Sequence, residues 1–142
     1  MSLDRRTFIE STAALSTIAT LGASHTSAAE RKSTVNFALV GLGSLSTNQI
    51  APALQKTERA KLVGIVTGTP DKEKIWQDKY GIEQKNIYNY ENFDKLVDND
   101  DIDVVYIVLP NSMHKEFTIR GAAAGKHVLC EKPMANSSAD CQ

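Results

Sequence analysis

From residue 35 onward, short apolar runs alternate with longer stretches in which apolar residues recur every three or four positions. The runs read as strands covered on both faces and the stretches as helices laid over them, which is the pattern of βαβ units sharing a parallel sheet. Strands are predicted over 35–40, 61–66, 86–88, 103–108 and 128–130. Helices are predicted over 46–56, with Ile50, Ala53 and Leu54 inward, over 71–80, over 92–98, with Phe93, Leu96 and Val97 inward, and over 113–124. Pro52 falls in the first half of the first helix, where it displaces the start or bends the axis. Gly81 and Gly125 stand where a left-handed residue closes a helix. The runs 35–40 and 103–108 are the most uniformly apolar, so they belong side by side at the sheet centre, flanking the switch point where open α/β sheets bind ligands. Ser137 has the character of a helix N-cap, and the residues to Gln142 hold no sixth strand. A truncated doubly wound α/β domain with one open sheet edge is the expected architecture.

Between the first strand and the first helix stands Gly41-Leu42-Gly43-Ser44-Leu45-Ser46. Gly41 permits a tight turn and Gly43 lets backbone N–H groups approach an anion without a Cβ in the way. The helix that follows adds unpaired amides and a positive dipole end. Ser46 occupies the third glycine position of the dinucleotide fingerprint and is small enough for close helix-to-strand packing. The chain therefore reads as a Rossmann-type dinucleotide binder.

Charge changes the picture by exclusion. A net charge of −1, with basic and acidic residues interspersed, lacks the footprint of a nucleic-acid partner. Cys130 and Cys141 form no metal-ligand spacing, and Cys130 lies in an apolar run where a buried, inert thiol is expected, so neither a metal nor a disulfide is predicted. Residues 1–29 differ from the rest: Arg5-Arg6-Thr7-Phe8-Ile9 precedes an Ala- and Thr-rich stretch, and Ser27-Ala28-Ala29 offers a cleavage site before Glu30. That is the form of a twin-arginine signal directing export to a periplasm, with the dinucleotide-binding domain over 30–142. Its apolar part is too short and polar to span a membrane.

The second strand ends in Thr67-Gly68-Thr69, where an NAD-preferring protein carries Asp or Glu for the ribose 2′-hydroxyl. With no carboxylate there, and with Lys72 one turn on to attract a 2′-phosphate, NADP is expected ahead of NAD. Lys132 stands at the carboxyl end of the fifth strand, the ligand-binding edge of such a sheet. An ammonium there can exchange a proton with a hydroxyl whose carbon loses hydride, provided burial or neighbouring positive charge lowers its pKa. Pro133 fixes the backbone behind it, through a cis bond in one reading, and Glu131 orients a ribose or pairs with the ammonium.

Glu131-Lys132-Pro133-Met134-Ala135, together with Gly41-Leu42-Gly43, Asn48-Gln49-Ile50, the run from Tyr106 to His114 and Ala124-Gly125-Lys126-His127-Val128, resembles the family of glucose-fructose oxidoreductase and myo-inositol dehydrogenase. The resemblance spans nearly all of 35–142. It implies that Lys132 is catalytic and that Glu131 lies by the cofactor. Leu109, Pro110, Asn111 and His114 then line the nicotinamide side, and Thr67 and Lys72 hold the 2′-phosphate. Gly41, Leu42, Gly43, Ser44 and Leu45 complete the cofactor-binding set; Ser44 stands where the glucose-fructose branch carries a lysine. The resemblance further implies a C-terminal α/β domain that supplies the substrate contacts for a sugar or polyol and mediates homo-oligomer assembly. Without it, the 142 residues bind nucleotide at most. Two other readings are a non-catalytic nucleotide-binding module and an inactive gene fragment.

Overall fold

The computed structural model describes residues 33–142, so the expected signal segment over 1–29 lies outside the described residues. Five parallel strands form one sheet in the order β3-β2-β1-β4-β5: β1 Val35–Val40, β2 Ala60–Val66, β3 Ile87–Tyr88, β4 Val104–Ile107 and β5 His127–Cys130. β1 and β4 pair in register from Phe37 with Val104 to Val40 with Ile107, which puts the two most apolar runs at the centre, as their composition predicts. Ala38, Leu39 and Val40 are fully buried because both faces of β1 are covered.

Alternation along the strands sorts the core into two layers. Ala38, Val40, Val105 and Ile107 point to the face covered by Phe93, Leu96 and Phe117. Leu39 and Ile65 point to the other, covered by Ala51 and Trp76. The chain winds from β1 outward to β3 with its helices on the second face, then crosses back to β4 and continues to β5 with a helix on the first. The reversal falls between β1 and β4, and parallel strands bring every carboxyl-end turn to one edge.

The first helical segment opens with Ser44 and Leu45 in α-helical conformation, widens into a π-helical turn, Ser46–Ile50, and runs into α1, Ala51–Leu54. Pro52 explains the wide turn: it has no N–H to offer, and its ring would strike the carbonyl four residues back in a regular α-helix. Ile50 and Leu54 pack against the core as expected, while the fully buried residue is Ala51 and not Ala53, which is exposed. α2, Pro70–Tyr80, starts with Pro at its first position, places Asp71 and Glu73 in the first turn and Lys79 in the last, and closes on Gly81 at φ 67°. The segment predicted as a helix over 92–98 is a 3-10 helix, Phe93–Asp98, and its tighter pitch keeps Phe93 and Leu96 inside but turns Val97 out to 56% exposure. A 3-10 turn, Asn111–Met113, leads into α3, His114–Ala123. β3 has only two residues, and Cys130 is half-buried because β5 is an outer strand with Leu129 47% exposed. The N-cap of the last turn, Ala139–Cys141, is Ser138 and not Ser137, which stands one residue earlier and accepts the Asp140 N–H through its hydroxyl. No helix among the described residues is long and apolar enough to cross a membrane.

Candidate functional site

The turn after β1 holds two glycines with different duties. Gly41 sits at φ 93°, and a Cβ there would fall 2.5 Å from the Val108 carbonyl and 2.9 Å from Leu109, so the turn after β1 is pressed against the turn after β4. Gly43 has nothing within 4 Å of its Cβ position: that side of the turn is open. The first main-chain bond of the following helix runs from Thr47 N–H to Gly43 C=O, leaving the amides of Ser44, Leu45 and Ser46 without a helical acceptor. Ser46 is fully buried and donates its hydroxyl to the Gly41 carbonyl at 2.5 Å. It therefore pins the turn as well as fitting the third glycine position, a role its small size alone did not reveal.

Lys72, from the first turn of α2, reaches back across the sheet edge and donates to the Leu42 carbonyl at 2.8 Å. Its ammonium is held at the glycine turn instead of extending into solvent. Thr67 is buried, and its hydroxyl accepts the Thr69 N–H at 3.1 Å, fixing the turn that ends β2. Thr67, Gly68, Pro70, Asn89 and Tyr90 border a cleft of about 340 Å³, which Glu73 and Glu91 also line. The Tyr90 ring lies so close over Gly68 that a Cβ there would meet it at 2.6 Å.

At the other end of the edge, Pro110 and Asn111 are exposed and Leu109 is buried. His114, expected to line the nicotinamide side, is instead 1% exposed, with Nε2 2.8 Å from the Leu109 carbonyl and Nδ1 2.6 Å from the Pro133 carbonyl. The Lys132–Pro133 bond is cis. Lys132 is exposed and Glu131 half-buried. The Glu131 carboxylate accepts the hydroxyl of Tyr106 at 2.5 Å. Burial pushes the Tyr106 phenol up to about 12, and the neighbouring carboxylate adds to the rise, since a phenolate there would face a like charge. Tyr106 was not singled out in the sequence; the signal available was a lone polar atom in the otherwise apolar run 104–108.

The fold thus gathers the expected residues at one edge. Leu42 and Lys72 meet directly, Gly41 meets Leu109, and His114 links Leu109 to Pro133. An open glycine, three amides with no helical acceptor and an ammonium at the turn suit a diphosphate, and the exposed Lys132 lies at the same edge. Among the described residues no group of three or more His, Cys, Asp or Glu is placed to hold a metal ion.

Known proteins share this fold. A solved aldose-aldose oxidoreductase from Caulobacter crescentus, complexed with glycerol, is 48% identical and superposes with a TM-score of 0.74 over 76% of this chain and 32% of its own. KijD10, a 3-ketoreductase from Actinomadura kijaniata solved with NADP, is 28% identical with a TM-score of 0.66, over 75% of this chain and 33% of its own. Inositol 2-dehydrogenase of Salmonella typhimurium is 28% identical over 109 residues, 77% of this chain and 32% of that protein. The chain spans about a third of the length of these relatives. Residues 35–142 match the Gfo/Idh/MocA model, described as an oxidoreductase family with an NAD-binding Rossmann fold, and the chain belongs to that family.

Proposed function

We propose that this chain binds NADP(H) along the carboxyl edge of its sheet, as the cofactor domain of an enzyme that moves hydride to and from a sugar or polyol. The observation that carries the reading is the glycine turn, closed at Gly41 against the β4 turn and open at Gly43 just ahead of three amides with no helical acceptor. Residues 41–45 hold the diphosphate, and Leu109, Pro110 and Asn111 border the nicotinamide. Lys72 leaves the Leu42 carbonyl for a 2′-phosphate, which as an anion is the stronger acceptor. Thr67 keeps its hydroxyl proton to donate to the same group. Glu73 and Glu91 border that cleft and oppose an anion, so the preference for NADP over NAD rests on Lys72.

The nicotinamide, when bound, supplies the acceptor for hydride. Lys132 exchanges a proton with the hydroxyl whose carbon gives up that hydride: the proton leaves the hydroxyl as the alcohol is oxidised and returns as a carbonyl is reduced. Likeness to an aldose-aldose oxidoreductase supports a cycle in which one sugar is oxidised, a second is reduced and the cofactor stays bound. Such a cycle suits the export signal read at Arg5 and Arg6, because a twin-arginine route carries a folded, loaded protein out. Replacing both arginines by lysine is expected to retain a folded reporter fused behind residues 1–29 in the cytoplasm; undiminished export would refute that part.

Fluorescence titration of the folded chain with NADPH and NADH tests the core of the reading. Saturable binding is expected, tighter for NADPH, and Lys72→Ala should remove the difference, since one charge-assisted contact is worth about 1.5–3 kcal/mol, or roughly 10- to 150-fold. Equal affinity for the two in the unsubstituted chain would overturn the NADP assignment. Failure of a well-folded sample to bind either would overturn the reading itself.

A further inference from the structure

The ladder between β4 and β5 ends where Ile107 pairs with Cys130, with one more main-chain bond from Glu131 N–H to the Ile107 carbonyl at 3.0 Å. Past that point Glu131, Lys132 and Pro133 leave the sheet, and a turn released from its ladder is ordinarily among the least stable parts of a fold. Here both neighbours of Lys132 are tied down by side chains from other elements. Tyr106, on β4, donates its hydroxyl to the Glu131 carboxylate. His114, at the start of α3, holds the Pro133 carbonyl through Nδ1 and the Leu109 carbonyl through Nε2.

We infer that Tyr106 and His114 are positioning residues, a two-point brace that fixes where the exposed Lys132 ammonium stands at the sheet edge. The consequence for hydride transfer rests on the function proposed above; the brace itself does not. Each tether is specific in its chemistry. The phenol donates to a carboxylate, a charge-assisted bond about twice as strong as a neutral one. The oxygens facing the imidazole are main-chain carbonyls of two different turns, so a single ring spans both. Through the same ring the turn after β4 and the turn after β5 move as one unit, which couples the placement of Pro110 and Asn111 to that of Lys132.

The test uses ¹⁵N relaxation of the backbone at Glu131, Lys132 and Met134, with Lys132 side-chain shifts, in the 142-residue chain and in Tyr106→Phe, His114→Gln and His114→Phe. Order parameters near the rigid value of about 0.85 are expected in the parent, falling toward about 0.6 in Tyr106→Phe. Glutamine, which keeps a donor, should loosen the turn less than phenylalanine, which keeps only bulk. A packing role without hydrogen bonds predicts the reverse order. Unchanged order and unchanged Lys132 shifts in Tyr106→Phe would overturn the brace, and that variant carries the test if the buried His114 replacements fail to fold. If the parent binds no nucleotide, the proposed function falls while the relaxation data still decide the brace.

Discussion

At the scale of single residues, the two glycines of the β1 turn separate folding from binding. Gly41→Ala combines a positive φ with a 2.5 Å approach to the Val108 carbonyl, so a loss of about 2–4 kcal/mol is expected, seen as a fall in thermal midpoint. Gly43→Ala meets no neighbour, and its stability should be unchanged or raised by about 0.4–1 kcal/mol, while nucleotide affinity drops because the new methyl fills the open side of the turn. Equal damage to stability at both positions would show that Gly43 serves the fold. Tyr106 makes a second prediction. Its folded pKa of about 12 stands above the ordinary 10.0, so its contribution to stability is complete below pH 10 and is lost as pH rises through 12. The difference in ultraviolet titration between the parent and Tyr106→Phe should reveal a phenolate that forms only near 12; one that forms near 10 would reject the half-buried pairing with Glu131. Both glycines and Lys132 were legible in the chain because their chemistry is local: a turn and a strand end. The partners of Ser46 and His114 were not, because a hydroxyl bonded five residues back and an imidazole bridging two turns depend on packing that no short stretch encodes.

At the scale of elements, apolar runs and helix-end signals located the five strands and the three α-helices but not the 3-10 turn Gln84–Asn86, which takes the first residue of the strand expected over 86–88, and the other departures have local causes. Pro52 widened the first helix into a π turn, and the polar segment over 92–98 wound as a 3-10 helix, which rotated Val97 out of the core. That short element is fastened to α3 by Arg120. Its guanidinium lies 5.1 Å from the Phe93 ring and 4.8 Å from the Phe117 ring, donates to the Tyr90 carbonyl at 2.9 Å, and pairs with Asp94 and Glu116. Both carboxylates are well exposed, so the pairs are weak and screened. Stacking on the rings and the carbonyl bond carry the fastening instead. Arg120→Ala is expected to cost about 1–3 kcal/mol in denaturant unfolding, and to cost nearly as much at about 1 M salt, where the Debye length is about 3 Å. Disappearance of the difference at high salt would assign the fastening to the ion pairs.

At the scale of the whole molecule, the sheet divides the core into two layers that share no helix, one centred on Phe93 and Phe117 and the other on Ile65 and Trp76. What joins them is the central strands, whose residues alternate between layers, so neither layer can melt while β1 keeps its pairing to β2 and β4. Unfolding of residues 33–142 should therefore be a single cooperative transition despite the short β3 and the exposed Leu129 on β5. Phe93→Ala removes a fully buried ring from one layer and Ile65→Ala a fully buried side chain from the other, with expected losses of about 3–5 and 2–5 kcal/mol. Calorimetry should show both variants lowering the same transition, with NADPH at a hundred times its Kd restoring about 2.7 kcal/mol in each, because the glycine turn grows out of β1 and belongs to neither layer alone. Two resolved transitions, each sensitive to only one of the substitutions, would mean that the layers fold apart and that the cofactor edge is anchored to just one of them.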